Sequence, residues 1–146
     1  MDVTIELRGE PAAFLAELNK AGFDLRAGAD DDFVRRTRVF PLVHRATTMP
    51  LDLVLAGPGL EEEFLSRAIP VDIEGVKVPF ISPEDLLITK ILAGRPKDVE
   101  DVRGILRARG RTMDLDRVRS TLDILEQALA QSDLVPLFEE QVRAAL

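Results

Sequence analysis

Residues 2–7 alternate, with Val3, Ile5 and Leu7 on one side and Asp2, Thr4 and Glu6 on the other. That period of two predicts a half-buried β-strand. Gly9-Glu10-Pro11 then opens a helix whose apolar stripe is Phe14, Leu15 and Leu18, with Gly22 as its stop. The run Asp30-Asp31-Asp32 suits the positive end of a short helix. Val39 to His44 reads as a second strand, and Pro41 within it suggests a sheet edge or a bulge. Arg45 to Pro50 is a turn, and Leu51 to Leu55 a third strand that returns antiparallel to the second. After Gly57-Pro58-Gly59 the pattern gives a helix over Leu60 to Ala68, then two short strands, Val71 to Ile73 and Val76 to Ile81, around Glu74-Gly75.

From residue 82 the period becomes helical. Ser82-Pro83-Glu84-Asp85 combines an N-cap serine, a first-turn proline and an acid three residues after the cap, and Gly94 ends that helix. Lys97 to Arg109 carries Val99, Val102 and Leu106 as one stripe, with Gly110 as terminator. Asp114 caps a third helix with Leu115, Val118, Leu122, Leu125 and Leu129, and Pro136 sits in the first turn of a last one with Leu137, Phe138 and Val142. The layout predicts one α+β domain over 1–146, with a mixed sheet and helices in 1–81 and a helical part in 82–146.

Composition narrows the chemistry. There is no cysteine among the 146 residues, which removes disulfides, thiol catalysis and thiolate zinc sites together. No apolar run approaches the roughly 18 residues of a membrane helix. Asp2, Glu6 and Glu10 interrupt any signal-peptide core, so cytoplasmic residence is the expectation. A net charge of −7 and the absence of Trp and Tyr argue against general nucleic-acid binding, which needs clustered cations and stacking platforms. Local clusters (Arg35, Arg36 and Arg38; Arg103, Arg107, Arg109 and Arg111) still allow a small phosphorylated ligand. The single histidine, His44, stands beside no nucleophile motif, and Gly57-Pro58-Gly59 lacks the Lys-Ser/Thr ending of a P-loop.

Two aspartates lie in strands. Asp2 opens the first, and Asp52 interrupts the apolar run Leu51-Asp52-Leu53-Val54-Leu55. A carboxylate there is costly unless it is paired, near an edge or bound to a cation. Carboxylates from neighbouring strands that converge on one face suit Mg²⁺, which binds oxygen and shares itself with substrate phosphates. The alternative is a strand residue close to solvent.

The segment Val78-Pro79-Phe80-Ile81-Ser82-Pro83-Glu84-Asp85-Leu86, followed by Lys90 and by Arg95-Pro96-Lys97-Asp98-Val99-Glu100-Asp101, resembles minimal nucleotidyltransferase-like proteins, relatives of the DNA polymerase beta superfamily. Pro50-Leu51-Asp52-Leu53-Val54 resembles that family's strand with its third catalytic aspartate. Asp2-Val3-Thr4-Ile5 resembles the end of its Thr-x-Asp-x-Asp strand. The resemblance implies Mg²⁺-dependent transfer of a nucleoside monophosphate from ATP or another nucleoside triphosphate to an acceptor. It makes Asp2 and Asp52 the metal-binding catalytic carboxylates and assigns Lys90, Arg95 and Lys97 to phosphate. The family's first aspartate, two residues before the second, and its Gly-Ser or Gly-Gly helix start would precede Met1, so reduced activity of these 146 residues is expected. A non-catalytic module that holds a nucleotide, a partner protein or a second copy, such as a toxin–antitoxin component, is the other reading. Even with the resemblance, Lys90 reads equally as a lysine whose stem covers the core. Lys97 and Asp101 then read as a helical ion pair at a polar corner.

Overall fold

Two sheets, not one, organise the strands. The computed structural model describes all 146 residues and divides them into two compact units, Met1–Ser66 and Arg67–Leu146. No helix is long and apolar enough to cross a membrane. The fold is α+β, with helices and sheets both present in each unit.

The first unit is built from β1 (Asp2–Ile5), α1 (Pro11–Lys20), β2 (Phe23–Leu25), α2 (Asp31–Thr37), β3 (Val39–His44), β4 (Pro50–Leu55) and α3 (Leu60–Ser66). Its four strands lie in the order β1-β4-β3-β2. The β1/β4 pairing is parallel, and the β4/β3 and β3/β2 pairings are antiparallel. Phe40, Leu42, Leu51 and Leu53 point to one face and form a core with Val34, against which Phe14, Leu15 and Leu18 of α1 pack. The Asp30 carboxylate caps α2 by accepting the Phe33 N–H (2.8 Å).

Two expectations change here. β2 was not apparent from the sequence, because a strand of three residues is too short to reveal a period. β3 lies inside the sheet, so Pro41 marks neither an edge nor a bulge. The alternation of antiparallel bonds explains how the proline is accommodated. The His44 N–H and the Leu55 N–H both bond across the β3/β4 pair, at rungs 44/49 and 38/55, which leaves odd-numbered N–H groups of β3 facing β2. The Pro41 rung on that side pairs with Arg26, one residue beyond the end of β2. The Arg26 N–H donates to the Pro41 carbonyl (2.8 Å), and the only bond lost to proline is the return bond of this terminal rung.

The second unit begins with a hairpin of β5 (Ile69–Ile73) and β6 (Val76–Phe80), a separate two-stranded sheet grouped with the helices. Then follow α4 (Pro83–Ala93), α5 (Pro96–Arg109), a 3-10 turn over Gly110–Thr112, α6 (Leu115–Leu129) and α7 (Leu134–Ala145). Leu87, Ile88 and Ile91 of α4, Val102 and Leu106 of α5, Val118 and Leu122 of α6, and Leu134 and Phe138 of α7 are buried. Their spacings of three and four are those of helices that each give one stripe to a common core. Leu129, at the end of the predicted α6 stripe, is exposed.

Candidate functional site

Parallel pairing of β1 with β4 sets Asp2 directly opposite Asp52. Residues opposite one another in a parallel pair face the same side, so both carboxylates project from the sheet face turned away from the Phe40–Leu42–Leu51–Leu53 core. Register continues across the sheet: Asp52 is opposite Pro41 on β3, and Pro41 is hydrogen-bonded to Arg26. One row therefore runs Asp2, Asp52, Pro41, Arg26 across the strands, about 4.8 Å per step. The Arg26 Nη2 spans the proline and donates to Asp52 Oδ1.

Asp2 is exposed, and the Asp52 side chain is 36% and Arg26 42% exposed, so solvent reaches both carboxylates and the guanidinium, whereas Pro41 between them is buried. Like charges directly opposite on adjacent strands repel. Arg26 offsets that repulsion from the Asp52 side. No three acidic or histidine side chains gather anywhere as a ready-made metal cluster. Two carboxylates nevertheless fit Mg²⁺, which characteristically takes one or two from the protein and completes its shell with water and substrate phosphates.

The basic residues singled out from the sequence belong to the second unit. Lys90 Nζ donates to Asp101 Oδ2 (2.6 Å) and Asp98 Oδ1 (3.3 Å), tying α4 to α5. Arg95 lies against Asp98 through Nε and through Nη2 (3.2 Å). Asp101 is therefore held by Lys90 and not by Lys97, which is exposed at the start of α5. The hydrogen bond from Lys90 to Asp101 holds the Lys90 ammonium above its ordinary value of 10.5 against the opposing effect of burial. The hydrogen bond from Arg95 chiefly holds the Asp98 carboxyl below its ordinary 3.8.

The Ser82–Asp85 segment has a role that the sequence reading reached only in part. Asp85, fully buried, accepts from Ser82 Oγ (2.7 Å), from Arg67 Nε (3.1 Å) and Nη2 (3.0 Å), and from Arg117 Nη1 (3.0 Å). The Asp85 N–H in turn donates to Ser82 Oγ (3.1 Å), closing the cap of α4. Glu84 accepts the Asp114 N–H (3.1 Å) at the start of α6 and meets Arg117 Nη2 at 3.5 Å. Arg67, Arg117 and Arg26 were not singled out beforehand. Each partners an aspartate distant in sequence, a contact no local motif displays.

A mixed sheet with paired aspartates, joined in the chain to a helical unit opened by Ser-Pro-Glu-Asp-Leu, is the pattern of a nucleotidyltransferase-type α+β protein. The chain belongs to the family described as nucleotidyltransferase of unknown function (DUF6036), whose model matches residues 16–139. That span contains Arg26, Asp52 and the whole Ser82–Asp101 segment; Asp2 precedes it. No curated protein matches the sequence.

Proposed function

We propose that the protein transfers a nucleoside monophosphate from ATP or another nucleoside triphosphate to an acceptor hydroxyl or phosphate, with Asp2 and Asp52 as the Mg²⁺-binding carboxylates. The observation that carries this reading is their direct register on one face of the sheet. Bound Mg²⁺ would neutralise the developing charge on the phosphate oxygens. Asp52, once released from Arg26, accepts the proton of the acceptor hydroxyl as its oxygen bonds to the α-phosphorus. The bond from that phosphorus to the bridging oxygen breaks, and pyrophosphate leaves.

The same reading gives phosphate contacts to Lys90, Arg95 and Lys97. For Lys90 this requires exchange of its bonds to Asp98 and Asp101. Cytoplasmic residence accompanies the reading, since that compartment supplies nucleoside triphosphates and Mg²⁺. The test is incubation with Mg²⁺ and α-labelled nucleotide. Label transferred by the wild type and lost in Asp52→Asn supports the reading, and transfer undiminished in Asp52→Asn refutes it.

A second reading is favoured by the ion pair that already neutralises Asp52. In it the chain is a non-catalytic module that holds a nucleotide or a partner protein, as a toxin–antitoxin component would. Calorimetry separates the two: Mg·ATP binding without label transfer, unchanged in Asp52→Asn, belongs to the module.

A further inference from the structure

The ion pair between Arg26 and Asp52 has a geometry suited to exchange. Arg26 follows β2 directly and is anchored by its backbone N–H to the Pro41 carbonyl (2.8 Å). Its side chain crosses an apolar proline and ends on the carboxylate beside Asp2. Both partners are more than a third exposed, which puts the pair among weak, water-screened contacts. A divalent ion at two adjacent carboxylates is the stronger partner.

Resting on the carboxylate-pair reading above, we infer that Arg26 is the counter-cation a divalent metal displaces from Asp52, and that the released guanidinium then binds the polyphosphate arriving with that metal. The planar fork of arginine donates to two phosphate oxygens at once, a geometry that a point-charge ammonium lacks. Arg26 therefore opposes metal binding by the free protein and favours it when a polyphosphate is present. It is a ligand-positioning residue whose two effects have opposite signs.

The opposite signs provide the test. Mn²⁺ is titrated into the full chain and followed by the electron paramagnetic resonance of the free ion, and Mg·ATP is titrated by calorimetry. Arg26→Gln is expected to bind Mn²⁺ roughly 2- to 5-fold more tightly, the strength of an exposed pair converted to affinity. It is expected to bind Mg·ATP about 10-fold more weakly, the loss of a charge-assisted hydrogen bond. Arg26→Lys, which keeps the charge, should bind Mn²⁺ as the wild type does while losing part of the Mg·ATP affinity. Arg45→Gln makes the same charge change at the Asp24 ion pair and should alter neither. Unchanged Mn²⁺ affinity in Arg26→Gln, with Asp52→Asn still lowering it, overturns the inference and leaves the carboxylate reading standing. Mn²⁺ binding insensitive to Asp52→Asn overturns both.

Discussion

Asp2 and Asp52, fifty residues apart in the chain, are direct register partners on adjacent parallel strands. Their proximity is a property of strand pairing and does not depend on a buried network. Function and stability should therefore separate at Asp52. Replacing it with asparagine removes one exposed ion pair and one like-charge repulsion, so thermal denaturation should move by less than about 1 kcal/mol. Mg²⁺-dependent label transfer should fall to background. A large loss of stability would instead make Asp52 a residue of the fold.

Asp85 is the opposite case. It is fully buried and receives Ser82, Arg67 and Arg117, whereas those two arginine side chains keep 30% and 29% exposure. Asp85→Ala removes the buried anion, and the arginines recover some water. The expected cost is about 3 kcal/mol, the low end for breaking a buried pair. Ser82→Ala, which removes the cap and the Ser82 Oγ bond to Asp85 but keeps both arginine contacts, should cost about 1–2 kcal/mol. Denaturant melts of the two variants check the order; equal costs would mean that the arginine contacts add nothing.

How much of this was legible in the sequence differs between the units. The stripes of α5 to α7 and the cap at Ser82 were readable because helical signals are local. The Asp2 strand was readable from alternation and the Asp52 strand from its apolar run, and their sharing of a face followed from the resemblance. What could not be read were the pairings. The order β1-β4-β3-β2 decides that Pro41 is interior, and no residue near Pro41 announces that β2 ends one position before it would need the missing N–H. Lys90 could be placed on a helix, but its choice of Asp101 and Asp98 depends on how α4 crosses α5. The segment that carried the resemblance most specifically proves rich in contacts that hold the second unit together.

The Lys90–Asp98–Asp101–Arg95 cluster gives stability a pH dependence with two limbs. Asp98 titrates lower when folded, so its contribution is fully present above its ordinary 3.8 and is lost as pH falls below that through its folded value. Lys90 titrates higher when folded, so its contribution is present below 10.5 and is lost as pH rises through its higher folded value. Melting temperature against pH should show both declines. Asp98→Asn should flatten the acid limb relative to the wild type, and Lys90→Met the alkaline one. Parallel curves for wild type and variants would contradict these assignments.

The turn joining β5 to β6 has positive φ at both central residues, Glu74 (53°) and Gly75 (86°), as a two-residue type I′ hairpin requires. Glycine meets that demand without penalty, and glutamate does not. Glu74→Asn should stabilise the second unit by about 0.5–1 kcal/mol, because asparagine tolerates the left-handed region. Chemical denaturation compares the two chains, and a destabilised variant would show that the glutamate side chain has a contact worth more than its backbone cost.

The metal assignment is tested most directly by anomalous diffraction from crystals soaked in Mn²⁺. The expected result is a peak within coordination distance of carboxylate oxygens of both Asp2 and Asp52, with the Arg26 guanidinium moved off Asp52. Mn²⁺ sites elsewhere, with the Arg26–Asp52 pair intact at saturating metal, would contradict it.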